Sequence, residues 1–215
     1  MRPLVVLRAE PAASATAARA SAMGLQVRTV PLFEVGPIDW LAPDSDAFDG
    51  LVLTSANAIR HGGAGLGALK RLPVHAVGAA TAAAARDAGF AIASIGDGGS
   101  RDMRLPADKK LLHLTGRDHV GTGATAALAV YEARAIDRPK GIDDLAGCVV
   151  AVHSPRAGSR LAELVDSRSR IAVAAISAAA AGACGNGWEQ VHAAPMPNEA
   201  ALLALAARLC ESRGR

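Results

Sequence analysis

One feature constrains this chain more than any other: short apolar runs alternate with alanine-rich helical segments, and small residues mark the changeovers. Residues 4–7 read as a buried strand, 11–23 as a helix stopped by Gly24, and 26–31 as a second strand. A strand at 51–53 runs into Thr54-Ser55-Ala56-Asn57 and a helix from about Ala58. A strand at 74–77 ends at Gly78, leads into a helix over 81–88 closed by Gly89, and is followed by a strand at 91–95. Residues 110–114 open a second series, with a helix expected at 122–129 before Val130-Tyr131. Strands separated by helices predict parallel sheets in an α/β fold. The 50 Ala against 6 aromatic residues suit that prediction, because small side chains let helices approach a sheet closely.

The series repeats. The run 48–55 parallels 145–154, each an apolar strand ending in serine with a helix behind it. The run 73–90 parallels 170–188, and the pairs Ser55/Ser154 and Gly78/Ser177 share one offset of 99 residues. Two related α/β units are therefore expected. The repeat leaves open whether each opening strand joins its own unit or the other. Residues 33–48 and 136–145 read as linkers at matching places. Two domains joined twice, with a hinge and a cleft between them, are the expected arrangement.

Several function classes are excluded by composition and spacing. The formal net charge is +3 and the basic residues are scattered, which argues against nucleic acid. Cys148, Cys184 and Cys210 form no CxxC and read as small buried residues of a reducing compartment. The histidines have no helical ligand spacing, so no metal is expected. The apolar start is too short for a signal peptide, and the most apolar run, 171–183, is too short to span a membrane. A cytoplasmic monomer without membrane contact is expected. Gly63-Ala64-Gly65-Leu66-Gly67 follows a helix rather than a strand, so it is not a dinucleotide loop. Asp97 and Asp118 lack the acidic pair after the first strand that a response-regulator site would need.

Taken in order, Val30-Pro31-Leu32, Thr54-Ser55-Ala56-Asn57-Ala58, the run Ala76-Val77-Gly78-Ala79-Ala80-Thr81, and Gly96-Asp97-Gly98 form a pattern. Leu114-Thr115-Gly116-Arg117, Val130-Tyr131-Glu132-Ala133, His153-Ser154-Pro155-Arg156-Ala157-Gly158 and Pro197-Asn198-Glu199-Ala200-Ala201-Leu202 continue it. Across essentially the whole length, this order and spacing resembles the uroporphyrinogen-III synthase family. The resemblance implies two α/β domains, one of 1–34 plus 138–215 and one of 35–137. It implies conversion of hydroxymethylbilane to uroporphyrinogen III, with inversion of the last pyrrole ring and no metal or organic cofactor. Transient contact with hydroxymethylbilane synthase belongs to the same expectation. The implied course is loss of the ring A hydroxyl to an azafulvene, attack by ring D to a spiro intermediate, then fragmentation and reclosure. Leu7-Arg8-Ala9 departs from the usual Thr-Arg-Pro, and Ser177 is followed by alanines, Ala179 and Ala180 among them, where glycine and threonine are common.

A substrate with eight carboxylates requires many anion contacts without a large protein charge. Backbone N–H groups at helix N-termini supply them. The strand-to-helix turns nominate Ser55, Ala56, Asn57, Gly78, Ala79, Thr81, Gly116, Ser154, Pro155 and Ser177 for substrate binding. Arg8, Arg117 and Arg156 stand at strand ends, where a guanidinium could pair with a carboxylate. Gly78 reads as a tight turn or a point where backbone approaches ligand. Tyr131, the only tyrosine, is the candidate general acid for the departing hydroxyl. Ser55 and Ser154 also read as helix N-caps, and no G-x-S-x-G marks a nucleophile. Two rivals stand beside the enzyme: a non-catalytic two-lobed binder of a polyanionic small molecule, and a nucleotide-binding enzyme. The second lacks a phosphate loop after the first strand, where Arg8-Ala9-Glu10-Pro11 stands.

Overall fold

In the computed structural model, residues 1–96, 104–118 and 121–212 are described. Their contacts divide the chain into two compact units, 1–34 with 135–215 and 35–134. In the first, β1 (Leu4–Val6) runs parallel between β2 (Val27–Thr29) and β9 (Val149–Val152). In the second, β4 (Gly50–Leu53) runs parallel between β5 (Val74–Ala76) and β7 (Leu111–Gly116). The opening strand thus belongs with the C-terminal strands. The first sheet is completed beyond β9 by β10 (Ala172–Ala175) and β11 (Gln190–Ala193), in the order β11-β10-β9-β1-β2. The second has β3 (Phe33–Pro37), β8 (Ala126–Ala135) and β6 (Ile92–Ile95), in the order β3-β8-β7-β4-β5-β6.

The first unit is covered on both faces. Along its central row, Leu4, Val149 and Ala172 are in register, as are Val5, Val150 and Val173 one residue on. Side chains alternate across a strand, so these rows face opposite ways. The Leu4 face packs against Ala20 of α1 (Ala12–Ala22) and against Leu202, Leu205, Ala206 and Leu209 of α6 (Glu199–Glu211). The other face takes α4 (Pro155–Leu164) and α5 (Ala178–Ala183) beside β10 (Ala172–Ala175), with β11 (Gln190–Ala193) at the edge. Every residue of β1, β9 and β10 is buried, as parallel strands covered on both faces require.

The second unit carries its helices on one face. Leu51, Leu53, Leu112, Leu114, Val74 and Ala76 form a cluster with Ala58 of α2 (Asn57–His61). Leu66 and Leu69 of the 3-10 turn Gly63–Leu69 join it, as do Ala82 and Ala85 of α3 (Ala79–Asp87). The opposite face of β4 and β7 is buried as well. There β4 and β7 offer Val52 and His113, and His113 meets the Thr54 hydroxyl at 3.0 Å and that of Thr122 at 3.4 Å. The glycine run 63–67 lies in the 3-10 turn, where Gly65 is pressed against the Trp40 indole and Trp40 Nε1 donates to the Gly62 carbonyl.

The expected repeat is present in the fold: β4 starts at 50 and β9 at 149, α3 starts at 79 and α5 at 178. Gly24 and Gly89 follow α1 and α3 with φ of +84° and +83°, the left-handed stop that glycine adopts without strain. Two expectations fail. Residues 122–129 are not a helix; β8 (Ala126–Ala135) is a ten-residue strand in parallel register with β7, Leu112 opposite Ala126. Gly121 and Gly123 disfavour a helix start, and the exposed ladder of β7 outweighs the helix propensity of four alanines. Residues 33–48 are not all linker, because β3 (Phe33–Pro37) and, further on, β6 (Ile92–Ile95) occupy the two edges of the sheet. An open edge beside β8 recruits the nearby extended chain.

Helices α4 and α5 approach through Gly158: a Cβ there would lie 2.8 Å from the Ala180 carbonyl oxygen and 3.0 Å from the Cys184 sulfur. Gly158→Ala is expected to destabilise the protein by about 1–3 kcal/mol, read as a lowered urea midpoint with unchanged slope.

Candidate functional site

In each unit the nominated residues gather where parallel strands end and turn. In the second unit, β4, β5, β7 and β8 bring Ser55, Gly78, Gly116 and Tyr131 to neighbouring positions. Tyr131 lies within β8, not at its end, opposite Gly116 after a register shift at Thr115/Gly116. The Arg117 N–H donates to the Tyr131 carbonyl at 3.0 Å. The Tyr131 ring rests on Gly116: a Cβ there would lie 2.8 Å from the ring and 3.2 Å from the hydroxyl oxygen. Only glycine permits this seat. The hydroxyl shares hydrogen bonds with the Ser55 side chain and the Gly116 backbone. Burial pushes the phenol's pKa above its ordinary value of 10, while those two hydrogen bonds pull the other way. The side chain is therefore a protonated donor at neutral pH.

Ser55 does two jobs. Its Oγ accepts from the Asn57 N–H at 3.1 Å, which shapes the turn before α2, and it meets Tyr131. Asn57 also accepts from Arg60 at 3.3 Å, and Ala56 is buried. His61, at the end of α2, lies with its ring centroid 6.4 Å from that of Tyr131. Burial, then the charge of Arg60, lowers its pKa. Nothing in the sequence had marked His61, since its spacing matches no motif. Gly78 is extended, with φ −174° and open space where a Cβ would be, so the tight-turn reading fails. Ala79 opens α3 at the surface, and Thr81 is buried in its first turn. Asp97 and Gly98 lie outside the described residues.

The first unit presents the counterpart edge. Ser154 and Ser177 are helix N-caps, accepting from the Ala157 N–H at 3.1 Å and the Ala180 N–H at 3.2 Å. Pro155 occupies the first position of α4, where its missing N–H costs nothing. Ala180, the counterpart of Thr81, is fully buried and has no hydroxyl to offer; Ala179 is exposed.

Each nominated arginine has a partner inside the protein. Arg117, 64% exposed, meets Glu132 at 3.4 Å; that carboxyl's pKa is lowered first by a hydrogen bond from Arg134, with the Arg117 charge adding. The Arg156 guanidinium lies 4.5 Å from the centre of the Phe33 ring, a cation–π contact. Arg8 Nη1 reaches Glu199 at 3.3 Å and Thr16 at 3.3 Å, and Arg19 also pairs with Glu199. Glu199 stands in the tail motif but not among the nominated site residues, and it lies 191 residues from Arg8 in the chain. Beside them lies His153, whose two ring nitrogens are buried with no hydrogen-bond partner among the described residues. Burial, then the charge of Arg8, lowers its pKa to about 4. Among the described residues, no cluster of His, Cys, Asp or Glu could hold a metal, and no helix is long and apolar enough to cross a membrane.

Parallel sheets whose strand ends carry helix-capping serines, glycines and a seated tyrosine define a class: two-unit α/β proteins built to meet a ligand at the carboxyl ends of their strands. The model of the family described as uroporphyrinogen-III synthase HemD matches residues 14–204. The chain belongs to the uroporphyrinogen-III synthase family. Two solved structures are similar in fold. The uroporphyrinogen-III synthetase from Helicobacter pylori shares 20% identity and a TM-score of 0.67, over 97% of this chain and 100% of that one. A mutant uroporphyrinogen III synthase from Thermus thermophilus shares 16% identity and a TM-score of 0.51, over 96% of this chain and 98% of that one. A search of curated proteins finds no match.

Two measurements follow from this geometry. Tyr131 is the only tyrosine, so its ultraviolet phenolate absorbance titrates alone; the midpoint is expected above 10, and Gly116→Ala, which must displace the ring, is expected to bring it back toward 10. For His153, the folded protein binds fewer protons than the unfolded chain between about pH 6.5 and 4. Stability is then fully present above pH 6.5 and falls as the pH drops toward 4, by about 3 kcal/mol for this group. Chemical denaturation across that range is expected to show a flatter profile for His153→Phe.

Proposed function

We propose that the protein is a uroporphyrinogen-III synthase, a cyclising lyase that closes hydroxymethylbilane to uroporphyrinogen III with loss of water and inversion of ring D. The observation that carries the reading is the seat of Tyr131 between Ser55 and Gly116, in a chain that belongs to this family.

In this reading the Tyr131 hydroxyl donates its proton to the departing hydroxyl of ring A. The C–O bond breaks toward oxygen, water leaves, and a protonated azafulvene (azafulvenium) remains beside the phenolate. The substituted carbon of ring D attacks it to form a spiro intermediate, which fragments and recloses through the other carbon. The proton released on reclosure restores the phenol. Ser55 keeps the phenol oriented. A raised pKa makes Tyr131 a weak acid, so most of the work is conformational: holding the bilane so that direct closure to the type I isomer is disfavoured.

Carboxylate binding falls to the turns of both units. The N–H groups of Asn57, Ala79, Thr81, Gly116, Ala178 and the residues that follow Pro155 are the donors, with the Ser154 and Ser177 hydroxyls beside them. The open space over Gly78 lets a carboxylate approach the backbone. Arg8, Arg117 and Arg156 add charge at the strand ends. In this reading the protein is a cytoplasmic monomer that receives its unstable substrate by transient contact with hydroxymethylbilane synthase.

The test is product isomer analysis. Hydroxymethylbilane is generated in situ, the purified protein is added, and the type I and type III porphyrins are separated after oxidation. A shift from type I to type III is expected, whereas type I alone from a folded protein would overturn the reading. Tyr131→Phe is expected to lower the rate about a hundredfold or less while type III is still formed. Complete loss of turnover in a well-folded Tyr131→Phe protein would show that acid catalysis outweighs conformational control.

A further inference from the structure

Glu199 lies in the tail motif of the sequence, yet the reaction as described gives it no task. Its carboxylate is surrounded by donors: Arg8 Nη1 at 3.3 Å, the Thr16 hydroxyl, and the Arg19 guanidinium. Thr16 is fully buried, so the carboxylate is anchored to the interior face of α1. Asn198 caps α6 by accepting from the Ala201 N–H at 2.9 Å, which fixes the first turn from which Glu199 projects.

The arrangement uses only part of Arg8. Of the five N–H donors of a guanidinium, those engaged here sit on Nη1, which meets Glu199 and Thr16. Nε and Nη2 donate to no group among the described residues. The side chain is 36% exposed, and burial lowers its pKa without removing its charge. Two arginines against one glutamate leave this strand end with one net positive charge, and His153 beside it is neutral above about pH 6. A planar fork held along one edge presents the other at a fixed angle. A carboxylate matches that free edge with two parallel hydrogen bonds.

We propose that Glu199 is a positioning residue that holds Arg8 by its Nη1 edge, so that the Nε/Nη2 edge receives a carboxylate of the substrate. This inference rests on the function proposed above. It assigns to Glu199 the gain expected of preorganisation: the rotamer freedom of Arg8 is lost on folding rather than on binding.

A double-mutant cycle tests it, with Glu199→Gln, Arg8→Met and the double variant, each checked by circular dichroism and thermal melting. Glu199→Gln is expected to raise KM for hydroxymethylbilane about tenfold with kcat within about twofold. In the Arg8→Met background the same change is expected to leave KM unaltered, because there is no fork left to hold. Arg8→Lys, which keeps charge without a fork, serves as a second background if Arg8→Met does not fold, with the same expectation. A tenfold effect that persists in both backgrounds would make Glu199 merely structural, and a lower KM in Glu199→Gln would make it a competitor for Arg8; either overturns the inference. The cycle is also read as Kd for uroporphyrin, an octacarboxylate followed by its own fluorescence, which needs no turnover. Failure to make the type III isomer with the cycle intact on uroporphyrin would remove the proposed reaction and leave the positioning role standing. Type III formation with an additive cycle would do the reverse.

Discussion

Three buried residues, Leu4, Val5 and Val6, hold the first unit together. As β1 they form the ladder joining β2 to β9, and so the first 34 residues to the last 81. Parallel pairing fixes direction as well as partner. With Val5 opposite Val150, the chain ends of β1 and β9 point the same way, and Arg8, His153 and Ser154 come to one edge. The side chains follow from that register: Leu4 toward α1 and α6, Val5 toward α4 and α5. A one-residue slip would exchange the two faces and send Arg8 away from Glu199.

The two units reach similar strand-end turns by different means. In the first, serines cap α4 and α5, and arginine carries the charge. In the second, α2 is only five residues long, and its turn is organised by Ser55, which binds both a backbone N–H and the tyrosine. The candidate residues of each unit thus include hydroxyls and backbone groups whose cost of burial is met by local hydrogen bonds, rather than a strongly shifted acid–base pair. Their arginines already have partners within their own unit: Arg117 with Glu132, Arg8 with Glu199, Arg156 with an aromatic face. Paired charges keep their geometry without a ligand, and this reconciles a net charge of only +3 with a polyanionic substrate.

What the sequence revealed was local periodicity and its repetition. The strands at 51–53 and 74–77, the helix stops at Gly24 and Gly89, and the offset of 99 residues all concern neighbours in the chain, where spacing alone is informative. The failures concern partners. Residues 122–129 hold alanines that favour a helix in isolation, but β7 offers an unfilled ladder, and the segment becomes β8. Residues 33–37 read as linker until the edge beside β8 is considered. Within the site, Ser55, Gly116 and Tyr131 were each legible as a turn, a glycine and a lone tyrosine, but their mutual contact was not. Glu199, His61 and Thr16 were missed because their importance lies in what they touch. A glutamate in the first turn of a helix has an ordinary reason to be there.

The discontinuity of the first unit has a consequence for how the chain is made. Residues 35–134 form a continuous segment, so the second unit has all its strands as soon as they emerge from the ribosome. The opening strand instead waits about 145 residues for β9. At about 5–20 residues per second this is roughly 7–29 s of synthesis during which an apolar strand stands without one of its two neighbours. The nascent protein thus assembles from the middle outward, and its first-made segment is among the last to be enclosed.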